Sequence, residues 1–340
     1  MVHTNDAPPQ LALEALIHGY QVTKCIYVAA KLGIADLLKD GPRTSEELAQ
    51  VTGTHAPSLY RVLRLLTAAQ LLSEGEGHAF TLTPLGTYLQ TGVPGSLRTT
   101  ALNDGGEPIW QVWGALLHSV ETGQPAFEQV FGRSNWDYCA QHPEAAALFD
   151  RTMSERTASV APTVAAAYDF SSSARLVDVG GGHGQMLASI LRAHPTLHAV
   201  LFDLPQVVHG APPLLEAAGV ADRCEIIGGD AFTAVPANAE TYLLSRVVHQ
   251  WDDARAVALL TRCQQAMLPQ GKVVLVERVI LSGSPPSLLV LESDVTMLVA
   301  TGGKERTDAE YRALLSAAGF ELRQLIPVLP PYSLIEAVRV

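Results

Sequence analysis

The stretch Val177-Asp178-Val179-Gly180-Gly181-Gly182-His183-Gly184-Gln185 decides how this chain is read. A short, mostly apolar run from Arg175 enters it, and helical spacing at 184–194 follows it. Glycines in such a strand-to-helix turn let the backbone approach a ligand without Cβ clashes. A dinucleotide site uses G-x-G-x-x-G, with a pyrophosphate on the helix N-terminus. Counted from Gly180, the third glycine position holds Gln185, so that pattern fails. The spacing is instead D-x-G-x-G-x-G, through Asp178, Gly180, Gly182 and Gly184. An acid just before the loop suits a cationic ligand without phosphate. S-adenosylmethionine, with its ammonium and sulfonium, is such a ligand, and Asp178, Gly180 and Gly182 are expected to contact it.

Toward the C-terminus the same texture repeats. HAVLFDLP, RCEIIGGD, TYLLSR and KVVLVERVIL are short β-type runs, with helical stretches at 184–194, 205–218 and 252–267 between them. Alternating strands and helices predict a mostly parallel sheet covered on both faces. Asp203 ends the second strand, where its carboxylate can accept both ribose hydroxyls of an adenosine. Asp230 ends the third, placed for the adenine amino group, with Phe232 beside the ring. Open sheets bind ligands at the carboxyl ends of their strands, and these acids sit there. Helices are predicted near 287–300 and 307–317. FELRQLIPV and YSLIEAVRV, separated by LPP, then predict an antiparallel hairpin at the sheet edge.

The fourth strand runs into Ser245-Arg246-Val247-Val248-His249-Gln250-Trp251, which sets His249 on the same edge. Methyl transfer to oxygen is a displacement at a sulfonium methyl. A phenol, with a pKa of about 10, is a weak nucleophile at neutral pH. A histidine, ordinarily at about 6.5, can take the proton as the oxygen attacks. Glu277 ends the fifth strand, and Glu305 lies in GGKERT beyond the covering helix. Either carboxylate can bond the far nitrogen of His249 and raise its basicity. No His, Cys and Glu spacing suggests a metal.

Toward the N-terminus, residues 11–38 read as helical, and Thr44 or Ser45 can cap a helix ending at Gly53. A second helix spans 57–72, and SEGEGHAFTL reads as a hairpin. Helix, turn, helix and hairpin is the order of a winged helix. Residues 41–90 hold only Arg43, Arg61 and Arg64 as bases, against four glutamates. A recognition helix needs a basic face, so this module reads as a dimerisation scaffold. The formal charge of −11 over 340 residues likewise argues against nucleic acid and against anionic lipid. Hydrophobic residues at 48% supply a large core. The four cysteines form no C-x-x-C pair, and MVHTNDAPPQ lacks the pattern of a signal peptide. A soluble cytoplasmic enzyme without a membrane span is expected. Residues 143–167 read as a long helix that Pro162 kinks or splits.

VDVGGGHG, FDLP, GGDAF, SRVVHQWDD, VLVERVI and GGKERTDAEY, in that order, resemble the S-adenosylmethionine-dependent O-methyltransferases of the caffeate and acetylserotonin type. The resemblance covers nearly the whole chain. It implies an α/β fold: a Rossmann-like class I methyltransferase sheet with an antiparallel C-terminal edge, after a mostly α winged-helix dimerisation domain. The expected domains are residues 1–105 and 106–340. It implies a homodimer, a small aromatic hydroxyl substrate, S-adenosylhomocysteine as product and no metal. By the same carry-over Ser245 and Arg246 touch cofactor, His249 is the base, and Glu277 and Glu305 flank it. Met153 and Met297 match positions that clamp the acceptor, and Trp251 and Asp294 are expected to line its pocket. One departure stands out: the family's His-Asp-Trp is His249-Gln250-Trp251 here. The alternatives are the same fold with N- or C-methylation, hydroxylation or decarboxylation, and a ligand-binding regulator that uses its winged helix on DNA.

Overall fold

The computed structural model describes residues 8–283 and 285–340, so residues 1–7, where a targeting segment would begin, lie outside the described residues. The chain divides into two compact units, residues 1–111 and 112–340.

In the first unit, the helix expected over 11–38 is three helices, Pro9–Ile17, Gly19–Leu32 and Ile34–Leu37. Gly33 ends the second by turning left-handed at φ 67°, which glycine does at low cost. Strand β1 (Arg43–Thr44) leads into the helix Ser45–Thr52. Thr44, not Ser45, is its cap: its side chain accepts the Glu47 amide, and the Glu47 carboxylate accepts the Thr44 amide at 2.8 Å. The helix Ala56–Ala68 follows, then β2 (Leu72–Glu74) and β3 (Ala79–Leu82). The three strands form an antiparallel sheet in the order β1-β3-β2. Ile34, Leu48, Leu63, Leu66 and Phe80 form its buried centre. The helix Pro9–Ile17 buries no residue, and Leu11, Leu13, Leu16 and Ile17 are all more than half exposed.

In the second unit, the long helix expected over 143–167 is split into Pro143–Ala158 and Ala161–Ala167. Pro162 has no N–H to continue the ladder, so it sits at the start of a new helix. The sheet strands are β4 (Arg175–Val179), β5 (His198–Asp203), β6 (Cys224–Gly228), β7 (Thr241–Ser245), β8 (Lys272–Ile280), β9 (Arg306–Thr307), β10 (Phe320–Pro327) and β11 (Tyr332–Arg339). Their order is β10-β11-β8-β7-β4-β5-β6, with β9 beside β8. Pairs from β6 to β8 are parallel, while β10 and β11 run antiparallel, as the short turn predicts. Alternation divides β4 between two cores. Val177 and Val179 join Tyr242 and Leu275 on one face, and Leu176 joins Leu243 and Val274 on the other. The helical stretch expected over 205–218 is broken into Pro205–Val208 and Pro212–Ala217, where Gly210 and two prolines interrupt it. The topology sets the carboxyl ends of β5, β4, β7 and β8 side by side.

Candidate active site

The glycine loop turns because Gly180, Gly182 and Gly184 all take positive φ, at 71°, 60° and 84°. A Cβ on Gly180 would fall 2.7 Å from the Val247 side chain, so only glycine lets the loop pass the end of β7. Asp203 fastens the loop: Oδ2 accepts the Gly182 amide at 2.8 Å and Oδ1 accepts the Leu204 amide at 2.7 Å. Burial pushes its carboxyl above the ordinary value, and those two amides work against the rise.

Asp178 corrects an expectation. It is fully buried beneath the loop, and a Cβ on Gly181 would fall 2.7 Å from its carboxylate. No ligand atom touches it unless the loop moves. Both its oxygens lack a hydrogen-bond partner, and burial pushes its pKa up to about 8, which favours the neutral acid. The acid facing the loop is Asp150, which sequence reasoning missed. Its Oδ2 lies 3.7 Å from His183 Nε2, and burial raises its pKa to about 6. Its spacing, three residues before Met153 on one helix, was the signal available.

Past β6, Asp230 is exposed, and its carboxylate accepts the Phe232 amide at 2.9 Å. Trp251 lies edge-on to Phe232 at 4.8 Å, and the Arg255 guanidinium covers both rings. The structure thus places Trp251 with the residue expected beside adenine, where the expectation had put it in the acceptor pocket. Trp136, 6.2 Å from Trp251, extends the row.

His249, Glu277 and Glu305 are all buried and come together. His249 Nδ1 donates to Glu305 Oε1 at 2.9 Å and stands 3.5 Å from Glu277 Oε2. Glu305 Oε1 also accepts the buried Ser293 hydroxyl at 2.6 Å. Glu277 Oε1 accepts the Val247 and Val248 amides, at 3.1 and 2.8 Å, and so fastens the turn that carries His249. Burial disfavours a charged His249, yet the Glu277 and Glu305 carboxylates more than offset this and raise its pKa above 6.5. Burial pushes Glu277 up. Glu305, also lifted by burial, ends below its ordinary value because His249 and Ser293 bond it. Glu305 is therefore the ionised partner. Its bond to Nδ1–H leaves the Nε2 lone pair free. The three side chains also offer ligand atoms within 4.8 Å of one another, a spacing that could hold a metal ion.

The segment 303–306 straps the histidine turn. A Cβ on Gly303 would fall 2.1 Å from the His249 carbonyl oxygen. Arg306, fully buried, donates to the carbonyls of Val248 at 3.2 Å and Trp251 at 2.8 Å and pairs with Asp253 at 2.9 Å. Gln250 donates to the Arg246 carbonyl at 2.8 Å, a bond that the family's aspartate, lacking an N–H, could not make.

Arg246 reaches Met153, with Nη2 2.8 Å from the thioether sulfur. Ser245 Oγ is inaccessible and has no hydrogen-bond partner. Met297 and Asp294 lie three apart on the half-buried face of the helix Leu288–Ala300, and Asp294 Oδ1 accepts the Glu305 amide at 2.9 Å.

Comparison with known proteins gives two family matches. An O-methyltransferase domain matches residues 113–321, and an O-methyltransferase dimerisation domain matches residues 14–92. The chain is 43% identical over 330 residues to the phenazine O-methyltransferase PhzM of Lysobacter antibioticus, covering 97% of this chain and 96% of that protein. It is 36% identical to the 8-amino-8-demethylriboflavin N,N-dimethyltransferase of Streptomyces davaonensis, covering 93% and 91%. Among solved structures it superposes with a TM-score of 0.83 on the neocarzinostatin-biosynthesis O-methyltransferase NcsB1, in complex with S-adenosylmethionine and 2-hydroxy-5-methyl naphthoic acid. That match is at 34% identity and covers 94% and 96%.

Proposed function

The chain belongs to the O-methyltransferase family, and from that membership we propose that it transfers the methyl group of S-adenosylmethionine to a hydroxyl of a small aromatic natural-product acceptor, with His249 as general base. The observation that carries this reading is the buried His249–Glu305 bond of 2.9 Å, at a strand end beside the glycine loop.

The residues fit the donor. Space lies open at Gly182, where an added Cβ would meet nothing within 4 Å, and the Ser245 hydroxyl waits without a partner. Asp203 takes the ribose, Asp230 the adenine amino group, and Phe232 and Trp251 the ring. Gly180, Gly182, Ser245 and Asp150 border the amino-acid end. Bound there, the donor supplies a methyl on a sulfonium. His249 Nε2 removes the acceptor hydroxyl proton as the C–O bond forms and the C–S bond pair returns to sulfur. Glu305 steadies the imidazolium that results, and Glu277 holds the turn. Met153 and Met297 bracket the acceptor ring, and Asp294, on the Met297 face of the same helix, holds the Glu305 backbone amide. Phenolate and sulfonium charges cancel in the product, so a dry site favours the step. Incubation of a phenol panel with donor and protein, read by mass spectrometry, should show acceptors heavier by one methylene; none gaining it despite donor binding would overturn the reading. N-methylation is the second reading, favoured by the dimethyltransferase relative, and aromatic amines in the same panel decide it.

The pH profile follows from the site. The base works when neutral, and its pKa is raised, so kcat/KM is lost as pH falls through a value above 6.5. Glu305→Gln removes a carboxylate that raises it, so the acid limb moves to lower pH and the plateau drops about 10-fold. An unmoved limb would remove Glu305 from the base's support. Asp203→Asn should weaken S-adenosylhomocysteine binding about 10-fold or more, since bonds to a charged acceptor are lost, as titration calorimetry reads.

The first unit is a dimerisation module on this reading. Its match to that domain and the exposed leucines of Pro9–Ile17 support a homodimer. Among the described residues no helix is long and apolar enough to cross a membrane.

A further inference from the structure

The three side chains around the base are also a set of ligand atoms. His249 Nδ1 stands 2.9 Å from Glu305 Oε1 and 3.5 Å from Glu277 Oε2. Among the described residues the three offer atoms within 4.8 Å of one another, and no cysteine joins the group. A tetrahedral ion bonded at about 2.0–2.2 Å keeps its ligands about 3.3–3.5 Å apart, and the two measured separations lie within about half an ångström of that spacing. Glu277 supplies a second, independent sign. Its side chain is fully buried, yet Oε2, on the side of the His249 ring, has no hydrogen-bond partner. Glu305 Oε2 is buried without a partner too. A dry carboxylate oxygen with no donor is costly, and a cation relieves it.

The groups are held as metal ligands are held. In metal sites the ligating carboxylates are themselves fixed by hydrogen bonds. Here Glu277 Oε1 accepts the Val247 and Val248 amides, which leaves Oε2 for an ion. Glu305 Oε1 accepts the Ser293 hydroxyl, and Asp294 holds the Glu305 amide. The donor set selects the ion. One imidazole nitrogen and two carboxylates suit zinc, which takes about four ligands. Magnesium keeps several waters, and calcium takes about six to eight oxygens. Only 8% of the His249 side chain is exposed, and none of either glutamate's, so such a shell has no room here. Two charges oppose the ion, Arg246 near His249 and Arg278 near Glu305, and they set its affinity below that of structural zinc sites.

We propose that His249, Glu277 and Glu305 form an inhibitory site for zinc or an ion of its class, bound through Nδ1 of the base. The binding rests on this geometry alone, while its effect on rate rests on the reading of His249 as general base. A metal bond at Nδ1 takes the lone pair there, so the Nδ1 proton leaves and the neutral ring carries its proton on Nε2 instead. Nε2–H donates and cannot accept, so the acceptor hydroxyl keeps its proton and the base is silent. The ion takes no part in methyl transfer: it switches the base off when bound and restores it when removed.

The test titrates the full chain with zinc alone against a chromophoric chelator, so binding is read without turnover. The wild type should bind a single zinc with a Kd of about 1 µM. His249→Ala, Glu277→Gln and Glu305→Gln should each weaken it about 10-fold or more. X-ray absorption of the zinc-loaded wild type needs no variant to fold: it should show one imidazole with oxygen neighbours at about 2.0–2.2 Å and no sulfur. At about 10 µM free zinc, methyl transfer should fall about 10-fold and return on adding chelator, while S-adenosylhomocysteine affinity stays unchanged. Sulfur among the ligands, or undiminished binding in the three variants, would overturn the proposal. So would a zinc-induced loss of S-adenosylhomocysteine affinity, which would put the ion beside the donor, at Asp150 and His183. Zinc held by these three residues while methyl transfer runs at full rate would keep the ion site and remove His249 as base. Zinc bound as described, with no methyl gain on any acceptor in its absence, would keep the site and remove the O-methyl reading.

Discussion

His249→Ala lowers kcat by about 10²–10⁴-fold while S-adenosylhomocysteine binding is retained. The size follows from the base's setting. His249 Nδ1 is committed to Glu305 at 2.9 Å, so the imidazole is fixed in one tautomer with Nε2 free. Two buried carboxylates lift its pKa above 6.5, which brings its basicity nearer to that of a phenol. Alanine removes the proton acceptor and leaves Glu305 with Ser293 as its remaining side-chain donor. The donor site is bordered by other residues, on the glycine loop and at the ends of β5 and β6, so donor affinity survives. Single-turnover rates across pH separate this from a folding effect: the acid limb should vanish together with the rate. A variant that turns over near the wild-type rate would mean that holding oxygen and methyl in line suffices.

Arg306→Leu destabilises the protein by about 3 kcal/mol and takes activity with it. The guanidinium is fully buried and donates to carbonyls on both sides of His249, those of Val248 and Trp251. Leucine fills much of the volume but donates nothing, so acceptors in a dry turn go unpaired, at about 1–3 kcal/mol each. Part of this is returned because a charge no longer has to be desolvated. Its carboxylate partner, Asp253, is largely exposed and can turn to water, which limits the loss. Chemical denaturation measures the stability. Assay well below the transition separates the two effects: kcat should remain depressed in the folded fraction, because the His249 turn has lost its strap. Wild-type kcat in that fraction would make Arg306 a stability residue alone.

The fold was legible because its signals are local. Period-two apolar runs, glycines after β4 and prolines at helix starts are short-range patterns, and the parallel sheet with its antiparallel edge follows from them. Where helices were drawn too long, at 11–38 and 205–218, the break came at Gly33 and at Gly210 with the prolines after it. Apolar spacing on both sides of a break looks continuous until the backbone is seen. The site was legible by edge, since residues at successive strand ends must share one rim. That rule grouped His249, Glu277, Asp203 and Asp230, although β8 runs on past Glu277 to Ile280 and β6 stops at Gly228, short of Asp230.

Depth and partnership were not legible. Asp178 and Asp203 both lie at the carboxyl side of a strand, yet one is buried under the loop and the other holds it. Which glutamate meets His249 Nδ1 depends on how the segment after residue 300 crosses β8, and the crossing is set by Gly303, Arg306 and β9. Asp150 and Ser293 take their roles from neighbours on other elements, His183 and Glu305. By itself, then, the sequence determined the element types, the parallel order and the edge that carries the chemistry, because these follow from the period of apolar residues and from backbone permissions. Only the tertiary structure decided which of the aligned charges are buried, bonded or left without a partner, because desolvation and hydrogen bonding depend on what packs against a group and not on its place in the chain.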